Sequence, residues 1–350
     1  MTNKLLQSIA SFFILVLTAE LFLAVKGADI LTVDCSSNLI SKSEHDFIIN
    51  IVGWGIPGNH WDSEDPEVYI KVWKNNTRES RMNEYKKTNF KVAFLGCSFT
   101  FGTGVEARDT MVWRLNDKYS DVTFDNWGVS GWGTAQMYLR MQDLLSREKY
   151  DLIVYNAIFD HMFRTYKMRA LGNLNVHSWY VPIPYANWDI FGRFRLRSVY
   201  DQRWPFESDL LSVNYFKRAF YGYKTAEYEN RFSQKGINRN HDLEAFAAAR
   251  DCYAEQVNRM YELCRTNKTD FLVCVLEDYT DLYTNEPGTI THNPGIRCEL
   301  INIEMPDGQA HNAENRVLNN PSFHPNKNVH KYWADRFSEW LDKKYGNRVK

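Results

Sequence analysis

The chain has 350 residues, enough for one large domain or two small ones with a substantial core. Its net charge of −1, with acidic and basic residues evenly mixed, excludes the basic footprint of a nucleic-acid-binding protein. Six cysteines without a C-x-x-C pair give no support for a zinc or redox-pair site, and no metal or other cofactor is expected.

The run Leu5 to Val25 is about as long as a bilayer-crossing helix and is flanked by Lys4 and Lys26. Gln7 and Glu20 weaken it, although Glu20 lies near the far end, within reach of an interface. A membrane anchor and a cleaved signal peptide, with Val25 and Gly27 before a cut at Ala28, are the two leading readings, and a buried core helix is third because little amphipathic pattern is visible. Either leading reading places the rest of the chain outside the cytoplasm, anchored at a membrane or secreted, and in the periplasm if the source is bacterial. Segment 1–27 is therefore read as anchor or signal peptide, and 28–88 as a polar linker followed by a β-rich lead-in. Within the lead-in, Val68 to Trp73 alternates as a strand does.

Residues 89–350 form the main domain, in which strands and helices alternate. Lys91–Gly96 predicts the first strand, and a helix follows from about Thr110 with Asp109 as its N-cap. Strands are expected at Val122–Trp127, Leu152–Ile158, Phe271–Leu276 and Glu299–Ile303. Helices are expected over Thr134–Arg147, Leu243–Cys264 and Val329–Tyr345, each with apolar residues at helical spacing. Cys252 and Cys264 fall on one helix, too far apart along it to bridge each other, and most of the cysteines read as buried thiols. The alternation predicts a three-layer α/β/α domain around a mainly parallel sheet. An insertion over about 168–240 interrupts it, rich in aromatics and carrying Arg193, Arg195 and Arg197. That insertion fits either a stacking surface or an aromatic-rich core.

The first strand carries the most informative stretch. Val92-Ala93-Phe94-Leu95 runs straight into Gly96, which reads as a buried strand closed by a turn. Ser98 then lies just past the strand's carboxyl end, where open α/β sheets place their ligands. The G-x-S-x-G elbow of α/β-hydrolases does not fit, because Thr100 stands where its second glycine belongs. Instead, Gly96 to Val105 resembles the first block of the SGNH (GDSL-like) hydrolase superfamily in its G-D-S-F-T-F-G-x-G-V variant, with Cys97 replacing the aspartate. Two later stretches extend the resemblance. Asn126-Trp127-Gly128-Val129-Ser130-Gly131-Trp132-Gly133-Thr134 is similar to the second block, N-x-G-V-x-G-x-G-T. His324-Pro325-Asn326 is similar to the end of the fifth block, D-x-x-H-P-N.

The resemblance implies a flavodoxin-like sheet, no metal, and ester hydrolysis or acyl transfer, often on acylated carbohydrates or lipids. By the same match Ser98 is the nucleophile and His324 its general base. The N–H groups of Ser98 and Gly131 form the oxyanion hole. Two departures stand out. The family's oxyanion asparagine falls on Asp160, an acceptor when ionised, so Asn156 and His161 are alternative donors. The family's catalytic aspartate is absent, with Pro321 and Ser322 in its candidate positions. Ser322, a backbone carbonyl or Asp160 remains as orienter of His324. The expected function is an exported serine esterase or O-acyltransferase. Its partners would be an acylated small molecule or polysaccharide and, through the N-terminal segment, a membrane. The alternative is a binding protein that keeps the fold without turnover.

Overall fold

The computed structural model describes residues 2–25, 60–61, 68–73, 75–83, 88–166, 184–188, 191–197, 243–278, 290–306, 313–317 and 324–349. The centre is a five-stranded sheet of β3 (Phe90–Gly96), β4 (Val122–Gly128), β5 (Leu152–Ile158), β8 (Asp270–Glu277) and β9 (Leu300–Asn302). In space they run β4-β3-β5-β8-β9, and every neighbouring pair is parallel. Within this sheet the first strand in sequence lies between the second and the third, which is the doubly wound flavodoxin-like order. β3, β4 and β5 are buried along almost their whole length, as near-continuous apolar runs covered on both faces must be.

The step from β3 to β4 goes one way across the sheet, and the steps to β5 and β8 go the other way. Right-handed crossovers then place the connecting helices on opposite faces. On one face α3 (Met111–Lys118) packs against α7 (Lys327–Tyr345). There the Phe94 ring lies 5.0 Å from Phe337 and 6.1 Å from Phe124. On the other face α6 (Leu243–Thr266) packs against α4 (Thr134–Arg147) and α5 (Asp160–Tyr166). The three layers agree with the reading of the alternation.

The local expectations need two corrections. The cap of α3 is Thr110, whose Oγ1 accepts from Trp113 N at 3.3 Å. Asp109 closes a preceding 3₁₀ turn and pairs with Arg114 instead. The lead-in strand shrinks to a two-residue antiparallel pair of β1 (His60–Trp61) and β2 (Tyr69–Ile70). The chain then reverses at Trp73–Thr77, so that Val72 pairs with Arg78, which in turn bridges to Asn126 on β4. Val68, Ile70 and Val72 nevertheless bury against Phe101, which ties the lead-in to the segment following Ser98.

α1 (Thr2–Val25) exposes Phe12, Phe13, Ile14, Leu15 and Leu17. Among the described residues no helix is long and apolar enough to cross a membrane. In the expected insertion, β6 (Tyr185–Trp188) and β7 (Phe194–Arg197) form an antiparallel pair, and β6 packs on α4, α5 and α6. Apart from Pro184 and Phe191–Arg193, the rest of that insertion lies outside the described residues, as does Cys35. Cys97, Cys252, Cys264 and Cys274 are buried free thiols, and Cys298 is a half-buried one.

Candidate active site

At the carboxyl end of β3 the chain turns through extended Cys97 into α2 (Ser98–Phe101). Ser98 is the first helical residue and is 6 % exposed. Its carbonyl accepts from the N–H groups of Gly102 at 2.8 Å and Thr103 at 3.1 Å, which closes the turn after it. Three buried side chains hold this turn from outside. Asn126 donates to the Thr100 carbonyl at 3.0 Å, and Asn156 donates to Thr100 Oγ1 at 3.0 Å. Arg78 donates to the carbonyls of Phe101, Gly102 and Val105 and lies over the Phe101 ring. Cys97 occupies the place of the aspartate in the resembled motif. Burial pushes its thiol up, so it stays neutral beside Ser98.

Beside this turn, Val129 to Trp132 forms a second one, with Trp132 N donating to the Val129 carbonyl at 3.2 Å. Gly131 is its third residue with φ +80°, the left-handed value that a type II turn demands there. Thr103 Oγ1 and Ser130 Oγ are 3.0 Å apart and join the two turns. Gly131 and Ser98 thus stand on adjoining turns at the same end of neighbouring strands.

The end of β5 places the remaining oxyanion candidates. Asn156 is buried inside β5, and its amide is directed at Thr100. His161 is fully buried, with Nδ1 2.9 Å from the Tyr155 hydroxyl and its ring stacked on Tyr155. Burial, reinforced by the nearby Arg164 charge, drives its imidazole well below the usual range and keeps it neutral. Asp160 opens α5 and binds Arg164 through Nε at 2.7 Å and Nη2 at 2.6 Å. Arg164 Nη1 in turn donates to the Trp132 carbonyl at 3.0 Å.

His324 arrives from a different direction. Residues 313–317 pair with 324–326, Val317 N donating to the His324 carbonyl at 3.1 Å and Asn326 N to the Asn315 carbonyl at 3.0 Å. Asn326 then caps α7 by accepting from Asn328 N at 2.9 Å. The His324 ring packs edge-on against Phe99, the residue after Ser98, with centroids 5.7 Å apart. Arg316 reaches from the same strip to Glu277 at the end of β8, at 3.6 Å. Burial pushes the Glu277 carboxyl up to about 7; Arg316 pulls it down, while Glu304 and Asp160 push it further up. Burial also pushes Glu304 up to about 7. His330, one helical turn into α7, accepts from Met111 N through Nδ1 at 3.2 Å, and burial pushes it down to about 3. Ser322 lies outside the described residues. Among the described residues no cluster of histidine, cysteine and carboxylate side chains could hold a metal ion.

Sequence reasoning missed the arginines around the site. Arg164 follows Asp160 by one helical turn, an i,i+4 acid–base spacing that was readable. Arg78 and Arg316 carry no local signal, because their partners are backbone carbonyls or a carboxylate far away in the chain.

No protein-family model matches the sequence, and no curated protein matches it. Among solved structures, the chain is similar to a lipolytic G-D-S-L family protein of Veillonella parvula, at 12 % identity and a TM-score of 0.37, over 74 % of this chain and 100 % of that one. It is also similar to an acetyl xylan esterase of Butyrivibrio proteoclasticus, at 10 % identity and a TM-score of 0.38, over 75 % and 66 % of the two chains. A GDSL-like lipase of Bacteroides thetaiotaomicron shows 12 % identity and a TM-score of 0.36, over 75 % and 92 %.

Proposed function

We propose that the chain is a serine esterase or O-acyltransferase acting on acyl esters, with Ser98 as nucleophile and His324 as general base. The observation that carries this reading is convergence. The residues after the first strand, the glycine turn after the second and the His-Pro-Asn strip before the last helix come to one end of the sheet, with His324 against the neighbour of Ser98. Ser98 Oγ attacks the ester carbonyl carbon as His324 takes its proton. The oxygen that gains charge is held by the N–H groups of Ser98 and Gly131. Collapse of the tetrahedral adduct breaks the bond to the alkoxy oxygen, which leaves as the alcohol with the proton from His324. Water, or a sugar hydroxyl in the transferase case, then releases the acyl group from Ser98.

Acetylated carbohydrate is the substrate class we put forward. Exposed Trp188 and Phe191 on the β6–β7 hairpin support it as faces on which sugar rings stack. Release of acetate from acetylated xylo-oligosaccharides and from p-nitrophenyl acetate by the full chain, but not by Ser98→Ala, tests the function. A second reading, binding without turnover, is favoured by the burial of Ser98 beside the Cys97 thiol. Equal behaviour of the wild type and Ser98→Ala supports that reading.

We also propose that the N-terminal segment directs export. Support comes from a helix that leaves Phe12, Phe13, Ile14, Leu15, Leu17, Leu21 and Phe22 exposed. A reporter fused after residue 30 should then appear outside the cytoplasm, and a cytoplasmic reporter contradicts the proposal.

A further inference from the structure

An aspartate at the place of an oxyanion donor ought to oppose the charge that develops during ester cleavage. The surroundings of Asp160 remove that difficulty. Its carboxylate is engaged by Arg164 through two nitrogens, at 2.7 and 2.6 Å. The third guanidinium nitrogen donates to the Trp132 carbonyl at 3.0 Å, and Trp132 directly follows Gly131. The contact continues at the next residue, since a Cβ on Gly133 would lie 2.6 Å from Arg164 Cβ. Arg164 is mostly buried, its side chain 12 % exposed, whereas Asp160 faces outward at 41 %. The cation of this pair is therefore on the inside. At Cys97, beside Ser98, the lowering effect of Arg164 accordingly outweighs the raising effect of Asp160.

We propose that Arg164 is a positioning residue for ester cleavage: anchored on Asp160, its guanidinium fixes the Val129–Trp132 turn so that the Gly131 N–H faces the oxyanion formed at Ser98. The inference rests on the Ser98 esterase reading and goes beyond it by giving the altered third block a role. Asp160 does not replace the missing donor; it holds the arginine that aligns the remaining one. The guanidinium fork matters as well as the charge, because its fixed planar donors reach the carboxylate and the carbonyl from opposite sides of one group.

The test is steady-state kinetics of the full chain on p-nitrophenyl acetate for Arg164→Met, Arg164→Lys and Asp160→Asn, with melting followed by circular dichroism. Complete loss of one oxyanion donor costs about 10²–10³ in kcat. Arg164→Met should approach the lower end of that range, with KM changed less than about threefold. Arg164→Lys should recover part of the loss, and Asp160→Asn should lower kcat about tenfold. A folded Arg164→Met with wild-type kcat overturns the inference, as does a raised KM at unchanged kcat, which would make Arg164 a ground-state contact. Should Arg164→Met fail to fold, wild-type kcat in both other variants overturns it. A wild type that neither turns over ester nor depends on Ser98 removes the function itself, an outcome distinct from all of these.

Discussion

Phe94 and Asn126, on the strands that lead to the nucleophile and oxyanion turns, are fully buried, and Asn126 and Asn156 brace the turn after Ser98 through amides. His324 is half-buried, and the strip that carries it is tied to the sheet through Arg316, Glu277 and their acidic neighbours. The two halves of the site are therefore held by different physics. Apolar burial and amide bonds do not change between pH 4 and 8, whereas a carboxyl pushed up to about 7 changes its charge inside that range. The amide-braced turn after Ser98 should keep its shape over the working pH range, and the Glu277 contact of the histidine half should add a pH dependence of its own.

Phe94→Ala removes a fully buried ring that touches Phe124 and Phe337, and should lower unfolding free energy by about 3–5 kcal/mol at any pH. Denaturant titrations at pH 5 and pH 8 should give the same loss; a strongly pH-dependent loss would erase the distinction between the halves.

Glu277→Gln sharpens the other side. The native Glu277 carboxyl holds its proton more tightly than in the unfolded chain, so its contribution is most favourable below about 4.5 and is lost as pH rises towards about 7. The shift is worth about 3 kcal/mol at ~1.4 kcal/mol per pH unit. Relative to wild type, Glu277→Gln should therefore gain about 3 kcal/mol between pH 4 and pH 8. Comparing the variant with wild type at each pH cancels the opposite trend of His330, which is favourable near neutrality and is lost as pH falls from about 6.5 towards 3. A flat difference would show that Glu277 ionises normally.

The smallest effect lies where the halves meet, at the start of α3. Thr110 caps Trp113 N from the nucleophile side, and His330 accepts from Met111 N across from α7. Thr110→Ala should cost about 1 kcal/mol, since the second partner keeps the helix end satisfied. A loss above about 2 kcal/mol, measured by urea unfolding, would mean that Thr110 holds more than one cap.

The same division explains what was legible in the sequence. β3, β4, β5 and β8 follow from apolar runs, and the turns at Ser98 and Gly131 follow from glycines at fixed spacing, because those signals are local. Asp109 and Thr110 are adjacent and both suit a cap, so composition alone could not separate them. The alternation of Val68–Trp73 suggested one strand, whereas Tyr69–Ile70 pairs with His60–Trp61 and Val72 with Arg78 across the reversal at Trp73–Thr77. The roles of Arg78 and Arg316 were hidden because their partners are set by tertiary contacts, whereas the i,i+4 spacing of Arg164 to Asp160 was readable. Asp160 was legible as a departure from the motif, but its meaning needed Arg164 and the Trp132 carbonyl.

The central claim, an activated Ser98 served by His324, is tested most directly with a fluorophosphonate probe, which phosphonylates an activated serine without needing the true substrate. The account predicts labelling of the full-length wild type at a single site, mapped to Ser98 by peptide mass spectrometry. Labelling should be absent in Ser98→Ala and slower by at least about 10² in His324→Ala. A wild type that does not label, or labelling that survives Ser98→Ala unchanged, would contradict it.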